Sequence, residues 1–420
     1  MKIISDLHIH SKYARATSKA LDLENLEKYA RIKGVNLLGT GDFTHPQWIQ
    51  EIKSNLKEDG SGILKSSNGF PFVLQTELAL VYTQGGKGRR IHYLLYAPSL
   101  EIVKQITDFL LSKGRIDYDG RPIFGFSSIE LVEKMNEISP DIEVIPAHIW
   151  TPFFGLLGSK TGFDSLKECF EEKTKLIHSI ETGMSSDPEM NWRISALDNI
   201  TLTSNSDLHS FWPWRMGREA NVFEMDELNY KNILAAIRER KGFVETIEVD
   251  PGYGKYHFDG HRNCNVVMSP EESAKVNKIC PACKKEMTIG VLNRVEELAD
   301  REEGFKPEGA IPFKRLIPLT EIIVALNGGS LATKKTWAVY NLLIEKFGSE
   351  FNILLNVSEE ELKKVVDEKL AAAIIANREG KIEVKPGYDG EYGIPILGKA
   401  VEEVKEEIKV KQQKGLGEFF

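Results

Sequence analysis

Cysteine is scarce: four residues in 420 cannot staple a disulfide scaffold. Long apolar runs are missing as well. Nothing approaches the ~20 residues that cross a bilayer, so no membrane partner is expected. Positive charge is not in excess. Acidic residues outnumber basic ones by 62 to 54, a formal net charge of −8, which argues against a nucleic-acid coat protein but leaves room for an enzyme with a local basic surface. The opening MKIISDLHIHSK gains charge at once and has no small-residue cleavage site, so an intracellular, cytoplasmic protein is expected rather than a secreted one. With 41% hydrophobic and 28% charged residues, the collagen-like and disordered classes are excluded. The length exceeds what one ordinary core carries and predicts one large domain with smaller ones attached.

Over residues 1–250, short apolar runs alternate with amphipathic helical stretches. MKIIS, VNLLGTG, FPFVLQTEL, RIHYLLYA, EVIPAHI, LIHSIETG and TLTSNSD read as strands, and the alternation predicts a mostly parallel α/β sheet or barrel. Asp22 is placed to cap the first helix and Gly34 to close it. Residues 251–310 change character, being rich in Gly, His and aromatic residues before a cysteine pair. Residues 311–383 are mainly helical, residues 384–411 form an extended segment and a charged helix, and residues 412–420 are a short tail ending in two phenylalanines. No internal repeat is evident.

The placement of histidines and carboxylates carries the chemistry. His8 and His10 end the first strand, and residues i and i+2 of a strand point the same way, so both imidazoles can reach one ion. Asp42 and His45 follow the second strand and Glu77 the third. His92, His148 and Glu181 fall on later ones, and Asp207 with His209 forms another i, i+2 pair. In a parallel barrel the strand C-termini gather at one mouth. A polynuclear metal site is therefore expected from His8, His10, Asp42, His45, Glu77, His92, His148, Asp207 and His209, with Glu181 a supporting carboxylate and His178 left as an ordinary residue. A phosphodiester repels nucleophiles. Clustered divalent ions neutralise it, acidify a water and stabilise the leaving oxygen. Imidazoles with carboxylates suit Zn²⁺ or Mn²⁺ better than Mg²⁺.

This array resembles the polymerase and histidinol phosphatase (PHP) superfamily, whose pattern opens with HxH and closes with DxH. The resemblance covers roughly residues 1–250 and implies a distorted (β/α)7 barrel that hydrolyses phosphoesters with two or three divalent metals. One departure is visible: the superfamily often has Asp directly followed by His after the second strand, whereas Phe43 and Thr44 separate Asp42 from His45.

His261, Cys264, Cys280 and Cys283 read H-x2-C-x15-C-x2-C, the spacing of a four-coordinate structural Zn²⁺ site, with His257 an alternative fourth ligand. Cys169 stands apart and is expected to be buried. Residues 354–380 resemble one helix-hairpin-helix unit, though without the usual hairpin glycines. The terminal QKGLGEFF matches the sliding-clamp (PCNA) motif, in which Gln413 hydrogen-bonds the clamp and Leu416, Phe419 and Phe420 form an apolar plug.

Taken together, a PHP-like barrel, a YHFDGHRNC…CPAC zinc module, a helical C-terminal domain and a clamp motif resemble the endonuclease Q family over nearly the whole chain. That resemblance implies a DNA-repair endonuclease acting on double- or single-stranded DNA. It would cut 5′ of a deaminated base (uracil, hypoxanthine, xanthine) or of an abasic site, after flipping the damaged nucleotide out of the stack. His8, His10, Glu77, Asp207 and His209 are the expected catalytic groups. Lys12, Tyr13, Arg15 and Lys19, after the HxH pair, and Arg215 and Arg218, after the DxH pair, are candidate DNA contacts. Trp150 or Phe153, in the aromatic stretch after His148, would stack on the flipped base or its neighbours. Two rivals use parts of the same sequence: a small-molecule PHP-type phosphatase, and a non-catalytic, clamp-tethered DNA-binding scaffold.

Overall fold

A computed structural model describes residues 1–397 of the chain. The seven strand candidates all form strands: β1 (Lys2–Asp6), β2 (Leu37–Gly39), β3 (Pro71–Gln84), β4 (Lys87–Ala97), β5 (Glu143–Pro146), β6 (Ser179–Glu181) and β7 (Thr201–Thr203). They follow one another around a ring in chain order. β1, β2 and β3 pair in parallel, β5 lies beside β4, and β6 and β7 pair in parallel. Two contacts close the ring. Ile149 N–H donates to the Glu181 carbonyl at 2.9 Å, and Ile9 bridges to Leu208. The result is a distorted (β/α)7 barrel.

The distortion lies where the parallel expectation fails. β3 and β4 form an antiparallel hairpin across Gly85 and Gly86, both with positive φ, and β4 is antiparallel to β5. A two-residue glycine turn matches the twist of a hairpin and leaves no room for a crossover helix. Two further strands, β8 (Ala220–Glu224) and β9 (Phe243–Glu248), extend the sheet antiparallel from β1, and β10 (Phe313–Arg315) adds to β9 in parallel.

The first helix, α1 (Leu23–Lys33), starts where Asp22 accepts from Asn25 N–H and ends at Gly34, which takes the left-handed φ of +93° that frees it to cap Ala30 and Arg31. Leu26 and Ala30 bury its inner face in the core beside Val35, Leu38 and Trp48. Residues 259–268 form a small hairpin, and the helix after it opens with a Ser269–Glu272 capping box. Residues 317–382 build a separate apolar cluster of Leu319, Ile323, Tyr340, Leu343 and Ile374. The segment after it folds as a hairpin, Glu383–Lys385 against Ile394–Ile396. Cys169 is buried as expected, and burial pushes its thiol up to about 11. Among the described residues, no helix is long and apolar enough to cross a membrane.

Candidate metal centre

Residues from both ends of the first 210 converge. Candidate ligand atoms of His8, His10, Glu77 and Asp207 lie within 4.8 Å of one another, and those of Glu77, His92 and His148 form a second such group. Glu77 is common to both. Its Oε2 faces His10 Nε2 at 3.2 Å and His8 Nε2 at 3.7 Å, while its Oε1 faces His92 Nδ1 at 2.8 Å and His148 Nε2 at 3.3 Å. Asp207 Oδ1 lies 3.1 Å from His10 Nε2 and 3.5 Å from His8 Nε2.

The hairpin explains the Glu77–His92 contact. Ala79 pairs with His92 in the register, so Glu77, two residues away on the same face of β3, is its diagonal neighbour. Asp42, His148 and Asp207 all adopt positive φ, at +40°, +32° and +47°. Non-glycine residues take this conformation at a cost, and its clustering here is typical of a functional site.

The donor set fits divalent metal. His8 Nε2 is buried and has no hydrogen-bond partner. Three imidazoles are held from behind by their other ring nitrogen: His8 Nδ1 by Glu181 at 3.0 Å, His10 Nδ1 by Asp42 at 3.0 Å, and His148 Nδ1 by Thr151 Oγ1 at 3.0 Å. Such outer partners fix the ring and its tautomer for metal binding. Glu181 also accepts from His148 N–H and from Asn205. Burial disfavours charge on His8, but Glu181, Asp207 and Glu77 outweigh it and hold the imidazole well above its usual pKa. Burial likewise opposes ionisation of Glu77, yet His92, Arg121 and His8 carry it well below the carboxylate range. His92, dominated by burial, falls to about 4 and stays neutral, as a ligand must.

Not every sequence candidate joins the cluster. Both oxygens of Asp42 are engaged, one by His10 and the other by Ser11 N–H at 2.6 Å, so Asp42 orients His10 instead of facing the centre. His45 is drawn away: it stacks on Tyr13 with ring centres 4.5 Å apart, at the start of the helix Pro46–Asn55. His209 lies beside the centre, its ring 4.8 Å from that of His10, but its Nδ1 turns to the Asp207 carbonyl. His178 sits elsewhere, near Glu143. Trp150 is a correction. It is 1% exposed, with Nε1–H donated to Asn191, and has no face to offer a base, whereas Phe153 is 43% exposed.

Arg121 was not singled out by sequence, because RPIF in a turn-rich loop carries no local signal. Its Nη1 donates to Glu77 Oε2 at 3.1 Å, which brings a guanidinium to the centre. Near the mouth, Lys12 and Tyr13 both bind Glu51, Arg15 pairs with Asp119, and Lys19 is exposed. Arg215 is half-buried, and Arg218 is buried and bonded to the Ser206 carbonyl.

Away from the barrel mouth, ligand atoms of His261, Cys264, Cys280 and Cys283 also lie within 4.8 Å of one another. His261 Nδ1 is 3.2 Å from Cys283 Sγ, so the geometry selects it over His257, which is outside the group.

The MJ0043 C-terminal domain family matches residues 318–381. An uncharacterized protein, MJ0043, of Methanocaldococcus jannaschii is 36% identical over 268 residues, 62% of this chain. The match spans only 33% of that relative's own length. An uncharacterized protein, YqxK, of Bacillus subtilis is 30% identical over 410 residues, covering 93% of this chain and 98% of the relative. The barrel and its cluster define a class of protein, an α/β barrel with groups at its mouth that could hold metal ions. Two crystal structures follow the chain nearly end to end at 32% identity. One is endonuclease Q in complex with a 27-mer duplex carrying an abasic lesion at the active site (TM-score 0.86, 96% of this chain and 98% of that one). The other is the lesion-specific endonuclease PfuEndoQ of Pyrococcus furiosus (TM-score 0.85, 98% and 99%). This chain belongs to the endonuclease Q family, an enzyme family of DNA endonucleases.

Proposed function

We propose that the protein is a DNA-repair nuclease that hydrolyses the phosphodiester 5′ of an abasic site or of a deaminated base such as uracil, hypoxanthine or xanthine. The observation that carries this reading is the meeting of His8 and His10 on one oxygen of Glu77, with Asp207 facing the same two imidazoles. The abasic site is supported by the relative bound to an abasic duplex, and the deaminated bases follow from the family resemblance of the sequence.

His8, His10, Glu77 and Asp207 would hold one divalent ion, and Glu77, His92 and His148 a second, with His209 at the edge of the first. Zn²⁺, Mn²⁺ or Mg²⁺ so placed would neutralise the phosphodiester, acidify a water and stabilise the leaving oxygen. Glu181, Asp42 and Thr151 keep the imidazoles aimed. Arg121, already charged and facing the centre, would take a non-bridging phosphate oxygen. Arg15, Lys19, Arg215 and Arg218 would contact neighbouring phosphates, and exposed Phe153 would stack on a base. The second cluster would hold one structural Zn²⁺ through His261, Cys264, Cys280 and Cys283.

The test uses labelled duplexes carrying one abasic site, one uracil, one hypoxanthine or none, with Mn²⁺, Mg²⁺ or Zn²⁺. Lesion-dependent nicking that His8→Ala abolishes is expected. Activity confined to p-nitrophenyl phosphate would replace the nuclease with a phosphatase, and binding without cleavage would leave a scaffold. We further propose that Gln413, Leu416, Phe419 and Phe420, which lie outside the described residues, dock on a sliding clamp (PCNA). Deleting Gln413–Phe420 should abolish clamp pull-down and leave intrinsic nicking intact.

A further inference from the structure

We infer that the loop after Asp207–His209 and the C-terminal hairpin together build a second phosphate subsite, in which Arg215, Arg218, Lys255 and Tyr392 receive a backbone phosphate adjoining the scissile one. This rests on the nuclease reading only for the identity of the anion, a phosphate of DNA.

Arg218 is 6% exposed. Its Nε and Nη2 donate to the Ser206 carbonyl at 3.0 and 2.8 Å, but its buried Nη1 makes no hydrogen bond of acceptable geometry. Tyr392 is its side-chain neighbour there, and a buried guanidinium with a poorly aligned N–H gains when a ligand completes it. Ser206 directly precedes Asp207, so this donor is anchored one residue from the metal centre.

The other cations converge on one phenol. Arg215 Nη1 donates to the Tyr392 hydroxyl at 3.2 Å, and its Cζ lies 5.0 Å from the ring centre. Lys255 Nζ lies 4.6 Å from the same centre. A phenol oxygen that accepts from a guanidinium still has its own proton to give. Two carboxyls, Glu219 and Glu321, lie near these cations. Burial pushes Glu219 and Glu321 toward the neutral form, and Glu321 is also engaged by the Tyr253 hydroxyl at 2.6 Å. Two guanidiniums, an ammonium and a hydroxyl complement the oxygens of a phosphodiester.

Tyr392 is held there firmly. Gly387 N–H donates to the Gly252 carbonyl at 2.8 Å and Gly393 N–H to the Tyr253 carbonyl at 3.0 Å. A Cβ at Gly393 would stand 2.1 Å from the Gly252 oxygen, so only glycine permits this approach. Asp389 accepts from Arg262 N–H and from Thr288 Oγ1, both at 2.7 Å, which ties the hairpin to the zinc-site segment.

The experiment measures binding of the full chain to a labelled abasic duplex by anisotropy across a salt range, with no divalent ion added. Lys255→Ala should lower the slope of log affinity against log salt by about 1. Tyr392→Phe, which keeps the ring, should weaken binding about three- to tenfold at fixed salt. In nicking assays both variants should raise KM more than they lower kcat. Lys255 is exposed, and unchanged melting temperatures verify that both variants fold. Unaltered slope and affinity in both variants would overturn the subsite, as would a wild-type chain that does not bind the duplex. A wild-type chain that binds but never nicks would instead count against the nuclease reading and leave the binding comparison decisive for the subsite.

Discussion

Lys33, in the last turn of α1, and Glu350, at the start of the helix Glu350–Leu355, form an ion pair at 2.6 Å with both side chains withdrawn from solvent. Both make further hydrogen bonds. Lys33 Nζ also donates to the Pro213 carbonyl at 2.9 Å, and Glu350 accepts from Leu319 N–H at 3.0 Å and from the Tyr340 hydroxyl at 2.8 Å. The pair ties the barrel to the helical region, and removing one partner strands the other charge. Glu350→Ala should cost about 3–5 kcal/mol in urea unfolding, and Lys33→Met combined with Glu350→Leu should recover much of that loss. Equal stability of Glu350→Ala and wild type would contradict the linkage.

Glu181 touches His8 Nδ1, His148 N–H and Asn205 at once. Glu181→Gln should therefore weaken metal binding about 10–100-fold while leaving every proposed ligand in place. Competition against a chromogenic chelator reads this directly. Unchanged affinity would show that the ring of His8 is held for some other purpose.

Glu248 is buried with Thr182, Ser204 and Thr246 donating to it, and burial raises its carboxyl to about 8. The folded state keeps a proton that the unfolded chain loses near the ordinary carboxyl value of 4.5. The stabilisation is thus complete below the unfolded pKa and is lost as pH rises through the folded one. Melting temperature should decline across this window, and Glu248→Gln should flatten the decline. A wild-type profile as flat as the variant's would show that the carboxyl is ionised in the fold.

Cys280 and Cys283 lie in a segment whose hairpins supply little core of their own. Replacing both with Ser should lower bound zinc by about one equivalent and open residues 251–300 to protease. Metal analysis together with limited proteolysis checks both effects.

Short spacing along the chain encoded one part of the site. His8 with His10 and Asp207 with His209 share a face because strand residues repeat every second position, and the cysteine pair of the zinc site is local too. The seven strands were readable from their apolar runs, as were the caps of α1. Which candidates meet was set by the fold. The turn at Gly85–Gly86 set the register that puts His92 beside Glu77. Stacking on Tyr13 removed His45, burial removed Trp150, and chain return from distant positions brought in Arg121 and Tyr392. Local spacing fixes direction along one element, but a ligand set depends on distances between elements, and packing and strand register settle those.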